Sequence, residues 1–399
     1  MVDRLLDGWP PQMNYSTNVV LRGIKDPKRQ VVLEYSAAPT TATQRRLAGK
    51  TVVHPVIDLG DYTCRAVIDW VEIDFWFEHR TQFRFVRDVL SPIIGRQPYV
   101  EPLDPEPGNV STEFRVKFQE PTLDLLGQCE RALDREFALQ MYGVIHSIEI
   151  SLDFKPVTPS SDKLGRMVGV LARHLFPDRD FMTVGLDRPR FLRGRGKEPT
   201  FIMGANNLLS SHADRPAPVD ATFWIGRKDG QVSWRVMEKL IDNQNIGAGT
   251  WDDLPLSEHR ARIEVTLDRR ELIGLAVNNL HDLRRFKFAK LQGRYFQFVV
   301  PTFENQFGDK HAAHRALEVD RWRRFLNAGV VGVIAMEGAR KLFRDNARPA
   351  LKEFLRAKGQ KVRPTTRVGS GPSGSFLAYE TLNGRAAMAL EKLGHREGE

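Results

Sequence analysis

The sequence predicts an α+β fold: a mainly antiparallel sheet with helices on one face, followed by a helical C-terminal region. Several segments alternate apolar and polar residues with the period of two that is typical of strands, and helical patterns separate them. The Asp229-Gly230 pair between two such segments is typical of a β-hairpin turn. Since 41% of the residues are hydrophobic, the chain has enough apolar content to form a core.

The chain has 399 residues, which is more than one ordinary domain needs. The stretch VGSGPSGSF has the composition of a linker near the end of the chain. We therefore expect four parts: an N-terminal arm or small subdomain over 1–60, an α+β body over 61–300, a helical region over 301–360 and a flexible tail over 361–399.

The charge balance favours a polyanionic partner. The chain carries 59 Lys and Arg against 50 Asp and Glu, a net charge of +9. Cys64 and Cys129 are the only cysteines and form no CxxC pair, which excludes a zinc ribbon or disulfide scaffold and fits a reducing compartment. No apolar run is long enough to span a membrane, and no secretory signal opens the chain. These features predict a cytoplasmic protein without membrane contact.

The strand and helix patterns follow one another along the body. CRAVIDWVEIDFWF predicts a strand with Val71, Ile73 and Phe75 on one face, and HRTQFRFVRDVLSPIIG predicts a helix. STEFRVKFQ predicts a second strand, followed by a helix that Thr122 caps. The remaining predicted elements are the strand GVIHSIEISLDF, a helix over 160–176, the hairpin TFWIG and VSWRVMEK, the strand HRARIEVTL and a helix over 269–280.

Acidic residues occupy strand positions at which strands without a functional site commonly carry Thr or Lys. Glu149 and Asp153 share one strand and lie about 13 Å apart at ~3.3 Å per residue, whereas Glu264 on a neighbouring strand can approach either of them. Charges are costly to bury, so we expect these carboxylates to line an open groove. All-oxygen ligands suit Mg²⁺ or Mn²⁺ and phosphate chemistry. The alternative is an ordinary solvated sheet face on which Arg262 and Lys239 are cross-strand partners.

Other metal and nucleotide motifs are absent from the sequence. The ten histidines form neither HxH nor HExxH, which argues against a histidine-bound metal, and no GxxxxGK[ST] motif points to a nucleotide-hydrolysing motor. His146, at the start of the acidic strand, is either a ligand or base or a structural residue.

Two basic segments are candidates for binding nucleic acid. A Gly-rich loop carries Arg193, Arg195 and Lys197, and the alternative is that this loop is merely solvated. The segment RFKFAKLQGRYFQF interleaves aromatic residues with cations, a pattern that binds single strands by charge and stacking. Its cations are Arg285, Lys287, Lys290 and Arg294. The alternative is that its aromatic residues belong to the core.

The order of these elements resembles the Rep-trans type of rolling-circle replication initiator, a family that includes filamentous-phage initiation factors and some relaxases of integrative elements. That family carries I-D-W, R-I-D-x-A-x-D, a glycine-ended strand, Y-[DE]-K and R-x-E-[VLI] in this order. The matching positions here are Ile68-Asp69-Trp70, the segment 147–153, Gly226, Met237-Glu238-Lys239 and Arg262-Ile263-Glu264-Val265. The resemblance covers residues 64–280.

The resemblance implies a DNA strand-transfer enzyme in which carboxylates hold Mg²⁺ or Mn²⁺ on the scissile phosphate and a tyrosine attacks it. Glu149, Asp153 and Glu264 match the acidic positions, and Lys239 and Arg262 match basic groups near the phosphate. Met237 replaces the expected tyrosine, and its thioether cannot perform the attack. Tyr295 is therefore our first candidate nucleophile and Tyr142 the second.

The sequence thus predicts a mobile-element DNA-binding protein that nicks and joins strands at an origin as a metal-dependent endonuclease. Arg235, next to the Y-[DE]-K position, is assigned to DNA binding with the two basic segments. The alternative is a member without catalysis that only binds origin or operator DNA. The expected partners are duplex or single-stranded DNA, host replication or transfer proteins and a second copy of the chain. An RNA-binding protein is a third class, since charge and aromatic residues alone do not separate RNA from DNA.

Overall fold

A computed structural model describes most of the chain. The described residues are 15–21, 29–41, 47–177, 190–191, 200–201, 222–226, 230–245, 250–304, 312–359 and 376–395. The predicted DNA-binding residues Arg193, Arg195 and Lys197 lie outside these ranges.

The strands of the described residues are numbered in chain order. They are β1 Tyr15–Leu21, β2 Arg29–Pro39, β3 Lys50–Pro55, β4 Tyr62–Gln82, β5 Tyr99–Pro102, β6 Val110–Gln119, β7 Val144–Pro156, β8 Arg190–Phe191, β9 Thr200–Phe201, β10 Thr222–Ile225, β11 Val232–Lys239, β12 Ile241–Asn245, β13 Thr250–Asp253, β14 Arg260–Asp268, β15 Val299–Glu304 and β16 Phe376–Ala378.

The helices are numbered in the same way. They are α1 Phe83–Ile94, α2 Leu123–Phe137, α3 Ser161–His174, α4 Arg269–Gly274, α5 Leu280–Arg285, α6 Gln292–Tyr295, α7 Ala312–Ala357 and α8 Glu380–His395. The predicted α+β class with antiparallel pairing is confirmed.

The main sheet has nine strands in the order β5-β6-β4-β7-β14-β11-β10-β8-β9, and every neighbouring pair is antiparallel. Side chains on successive strand positions point to opposite faces, which explains the period of two in the sequence. On one face, residues such as Ile150, Val265 and Trp234 are buried in the core. Helix α3 contacts β7, β11 and β14. The opposite face carries the charged residues.

A second, five-stranded sheet joins both ends of the chain in the order β1-β2-β3-β15-β16. Strand β3 pairs with β15, and β15 pairs with β16. The strands within the predicted N-terminal part therefore share a sheet with C-terminal strands. Helix α3 also contacts β1 and β2, so it lies between the two sheets.

Two predicted segments differ from the structure. The alternating cations and aromatic residues of 285–298 predict a strand with one basic face, but this segment contains a 3₁₀ turn, Phe288–Leu291, followed by α6. The predicted flexible tail contains α8, which packs against β4 and that 3₁₀ turn. In both segments buried apolar residues recur at helical spacing: Phe288, Leu291 and Tyr295 in the first, and Leu382, Ala386 and Leu390 in α8.

Helix α7 is divided by Gly329, whose φ of 68° and ψ of -164° are not helical. A Cβ at this position would lie 2.5 Å from the Cα of Arg173 in α3, so only glycine fits this contact. Among the described residues, no helix has both the length and the apolar character to cross a membrane.

Candidate functional site

Three carboxylates from three adjacent strands meet on the charged face of the main sheet. Asp69 of β4, Glu149 of β7 and Glu264 of β14 each offer one oxygen, and these oxygens all lie within 4.8 Å of one another. We call this group the carboxylate cluster. The register places Glu149 opposite Trp70 and Thr266, and Glu264 opposite Ser151.

Asp69 reaches the cluster through a β-bulge. The pairing of β4 with β7 shifts between Ile68 and Trp70, so Asp69 is an extra residue on β4. Ile68 and Val71 remain in the core, whereas Asp69 accepts a hydrogen bond from Arg262 on the charged face. Strict alternation would place Asp69 with Val71 in the core. Alternation along β4 therefore does not identify Asp69 as a site residue, and only its place in the I-D-W motif indicates it.

Glu149 is held by neutral donors on both sides. Trp70 Nε1 donates to Glu149 Oε1 at 2.9 Å, and Thr266 Oγ1 donates to Glu149 Oε2 at 2.7 Å. Arg235 Nη2 lies 3.7 Å from Oε1. Burial raises the pKa of Glu149, although Arg235 opposes this effect.

Glu264 is the most deeply buried member of the cluster, with 1% of its surface exposed. Arg235 donates to Oε2, whereas Oε1 has no hydrogen-bond partner and lies 3.6 Å from Arg262 Nη1. The neighbouring Ser151 hydroxyl is also buried without a partner. Burial raises the pKa of Glu264 to about 8, and the adjacent Glu149 and Asp69 act in the same direction.

Asp153, a predicted metal ligand, lies outside the carboxylate cluster. Arg262 Nε and Nη2 donate to its two oxygens at 2.5 and 2.8 Å, and Arg260 Nε lies 3.1 Å from Oδ2. A cation would have to displace these arginines to reach Asp153. The structure thus places Asp69, rather than Asp153, beside Glu149 and Glu264.

The site is nearly balanced in charge. Four carboxylates, Asp69, Glu149, Asp153 and Glu264, lie among the three guanidinium groups of Arg235, Arg260 and Arg262. Burial opposes ionisation of Asp69, but Arg262 and hydrogen bonding with Glu149 hold its pKa below the usual value. Asp69 is therefore ionised at neutral pH.

The donor set fits a hard divalent cation. Mg²⁺ and Mn²⁺ prefer carboxylate oxygens, and the cluster offers three of them at a spacing that can hold an ion. The buried Glu264 Oε1 lacks a hydrogen-bond partner, which is a costly state that a cation would relieve.

Polar pairs continue along the same face of β4. Glu72 accepts from Lys117 at 3.2 Å and from Ser147 at 2.8 Å. One rung further, Arg115 donates to both oxygens of Asp74 and contacts His146 Nδ1 at 2.9 Å.

Lys239, at the end of β11, pairs with Asp242 at 3.0 Å and also favours the ionised form of Asp69. Its side chain is partly exposed, so it can add positive charge at the edge of the site. Met237 lies two residues before Lys239 and pairs with Arg262 in the register, so it shares the charged face with Arg235.

The structure does not bring Tyr295 to the carboxylate cluster. Tyr295 is 1% exposed, its hydroxyl donates to Glu271, and its carbonyl accepts from Trp234 Nε1 at 2.7 Å. Trp234 neighbours Arg235 on β11 and points to the core face, so Tyr295 lies on the other side of the sheet from the acids. This geometry argues against Tyr295 as the nucleophile.

The other described tyrosine side chains also lie away from the cluster. Tyr35, Tyr62 and Tyr379 are buried in the core. Tyr142, the second candidate, is 63% exposed and stacks on His281 in the loop region before β7. Tyr99 is 62% exposed on the charged face, at the edge strand β5, opposite Lys117.

The predicted DNA-binding cations divide into two groups. Arg235 belongs to the carboxylate cluster and packs over the Trp224 ring at 5.1 Å. Arg285, Lys287, Lys290 and Arg294 surround the buried Tyr295 segment instead, and Arg294 pairs with Glu271 at 2.7 Å. Phe288, Phe296 and Phe298 are buried, so these rings belong to the core, which is the second of the two alternatives given above, and they are not available to stack on bases.

Comparisons with protein-family models and with curated proteins find no match for this chain.

Proposed function

We propose that this protein binds DNA at a replication or transfer origin of a mobile element, and that its carboxylate cluster works on the DNA phosphate backbone with Mg²⁺ or Mn²⁺. One observation carries this proposal. Asp69, Glu149 and Glu264 come from three separate motifs of the Rep-trans resemblance, and the sheet brings their oxygens within 4.8 Å. Positions far apart in the sequence converge as a shared metal site requires.

The cluster has charged neighbours suited to a phosphate. Arg235 is partly exposed, with 28% of its side-chain surface accessible, and borders both Glu149 and Glu264. Guanidinium groups bind phosphate oxygens in pairs, so Arg235 can orient a backbone phosphate over the acids. Arg262 is 1% exposed and instead fixes Asp69 and Asp153 in place. A bound Mg²⁺ or Mn²⁺ would stabilise negative charge on the scissile phosphate.

A second candidate function is DNA binding without cleavage. Met237 occupies the position at which the resemblance expects the nucleophile, and none of the tyrosines whose side chains are described lies in the cluster. Arg235 and Arg262 also neutralise much of the acidic charge. In this alternative the charged face of the main sheet binds origin or operator DNA, and the salt bridges of Arg235 and Arg262 stabilise the sheet.

The test is incubation of the purified protein with Mn²⁺ or Mg²⁺ and supercoiled or single-stranded DNA from its own genetic neighbourhood. Denaturing gels and peptide mass analysis separate the outcomes. A protein-DNA adduct supports tyrosine strand transfer and identifies the nucleophile. Cleavage without an adduct supports hydrolysis at the cluster. Salt-sensitive binding without cleavage supports the second candidate, and the absence of DNA binding overturns the proposal.

A further inference from the structure

A second basic element lies outside the carboxylate cluster, in the C-terminal half of α7. Residues 340–358 contain seven Lys and Arg and two acids, a net charge of +5 out of +9 for the chain. Five of these cations recur at every fourth position: Arg340, Arg344, Arg348, Lys352 and Arg356. In an α-helix each step of four residues advances about 6 Å and turns about 40°, so these five sequence positions wind about 160° around the axis over about 24 Å.

The end of this segment is open to solvent. Among residues 349–359 whose side chains are described, all but Leu355 are exposed. Phe354 is 55% exposed, and Lys358 Nζ lies 4.7 Å from the centre of its ring. This helix end buries little apolar surface, so its cations are accessible to a partner.

The start of the segment is fixed in the core. Val330, Val331 and Val333 are buried just after the Gly329 kink. Arg173 is fully buried in α3 and donates from Nε to the carbonyl of Leu326 at 2.8 Å, on the other side of the kink. Arg321 in the first half of α7 pairs with Glu337 in the second half at 3.2 Å. The direction in which the basic segment leaves the body is therefore set by buried contacts.

We propose that residues 340–358 form a duplex-DNA-binding arm, distinct from the carboxylate cluster. A helix of about 10–12 Å diameter fits the ~12 Å major groove, and a row of cations at ~6 Å steps can neutralise successive phosphates. The described part of the arm carries only Phe354 as an exposed large aromatic residue, so it lacks the repeated stacking platform of single-strand binding proteins. The inference rests on the proposed function for the identity of the polyanion.

The test compares two variants of the full chain with equal loss of charge. K352Q/R356Q/K358Q removes three exposed cations from the arm, and the control R84Q/R131Q/R135Q removes three exposed cations from α1 and α2. The arrangement is matched further because Arg84 lies over the Phe85 ring much as Lys358 lies over Phe354. Binding to a 30-base-pair duplex is measured by fluorescence anisotropy over a range of KCl concentrations.

We expect the arm variant to reduce the slope of log K against log [KCl] by about 2 to 3, because each lost phosphate contact removes roughly 0.9. Duplex affinity near 0.1 M salt should fall by about 100- to 1,000-fold, and the control should stay close to wild type. The charge-preserving variant K352R/R356K/K358R should keep the duplex affinity and salt slope of wild type. If the arm variant has the same salt slope as the control, the inference is overturned. It is also overturned if the arm variant keeps its duplex affinity but loses binding to phosphatidylserine vesicles or to an RNA hairpin.

Failure of the arm and failure of the proposed function give different results. If wild type binds and cleaves DNA while the arm variant shows an unchanged duplex slope, only the arm is disproved. If wild type does not bind DNA, the proposed function fails as well. Cleavage of a short single-stranded oligonucleotide should persist in the arm variant, because that substrate needs only the carboxylate cluster.

Discussion

Arg262 grips both oxygens of Asp153, with Nε donating to Oδ1 at 2.5 Å and Nη2 donating to Oδ2 at 2.8 Å. The two residues face each other on β14 and β7, and Arg262 is 1% exposed. The same guanidinium group reaches Asp69 through Nη1. Arg262 therefore connects Asp69, which belongs to the carboxylate cluster, with Asp153, which stabilises the pairing of β7 with β14.

Asp153→Asn and Asp69→Asn should affect different properties: the first folding stability and the second Mn²⁺ binding. Removing the charge of Asp153 leaves the buried Arg262 short of a partner, so we expect the free energy of unfolding in urea to fall by about 3 kcal/mol. The affinity for Mn²⁺, measured by calorimetric titration, should change little. Asp69→Asn should weaken Mn²⁺ binding by about 10-fold or more, because it removes a proposed ligand. A loss of Mn²⁺ binding in Asp153→Asn with full stability would return Asp153 to the ligand set.

The sheet could be predicted from the sequence, whereas the membership of the cluster could not. Alternation along β4, β7 and β14 indicated which residues face the core, since an antiparallel strand with one buried face must follow that period. The bulge at Asp69 depends on how β4 pairs with β7, a long-range property that no local pattern encodes. The same limit explains Asp153, whose arginine partners become visible only when β14 lies beside β7.

The aromatic segment 286–298 shows a second limit. Its alternating cations and aromatic residues are compatible with an open strand and with a folded turn whose aromatic side chains enter the core. The packing decides between them, because Trp234 donates to the Tyr295 carbonyl and draws this segment onto the sheet. Tyr295 was therefore a reasonable candidate from sequence but lies on the opposite side of the sheet from the acids.

Glu149→Gln and Glu264→Gln should each abolish cleavage while duplex binding persists. Each change keeps the side-chain shape but removes a charge that Mn²⁺ needs. Metal affinity should fall by at least the roughly 10- to 100-fold seen when outer-shell partners are removed. Cleavage is scored on gels and duplex binding by anisotropy.

Glu72→Gln is the matched control for these two variants. Glu72 lies on the same face but is paired with Lys117 and Ser147, outside the cluster. Normal cleavage by Glu149→Gln or Glu264→Gln would show that the carboxylate cluster does not take part in cleavage. Loss of duplex binding together with loss of the folded circular-dichroism spectrum would mark these acids as structural.

Met237→Tyr should create or strengthen a covalent protein-DNA adduct. Position 237 pairs with Arg262 and lies on the face of Arg235, so a tyrosine there would reach the carboxylate cluster. The expected readout is a DNA-linked peptide containing residue 237 in the presence of Mn²⁺. Met237→Phe supplies the ring without the hydroxyl and should give no such peptide. Identical behaviour of the Tyr and Phe variants would show that this position is not the site of attack.

His174 should make the fold less stable as the solution becomes acidic. Its ring is fully buried, Nδ1 donates to the Val299 carbonyl at 2.8 Å, and Nε2 has no partner. Burial lowers the pKa of His174 to about 3, whereas the unfolded chain has the ordinary value near 6.5. Below that ordinary value the unfolded state binds a proton that the folded state refuses, so the free energy of unfolding falls as the pH drops.

Between pH 7.5 and 5.5 this effect amounts to about 1.4 kcal/mol, which urea unfolding of wild type and a position-174 variant at each pH can measure. Burial raises the pKa of Glu264 to about 8, so Glu264 also titrates in this range, in both proteins, and only a comparison with a variant at position 174 isolates the contribution of His174. His174→Gln keeps a donor for Val299 but cannot take up a proton. On going from pH 7.5 to 5.5, the free energy of unfolding of wild type should therefore fall by that amount relative to that of His174→Gln. Parallel pH curves for the two proteins would mean that His174 is protonated in the folded state, with its second nitrogen in contact with water or an acceptor.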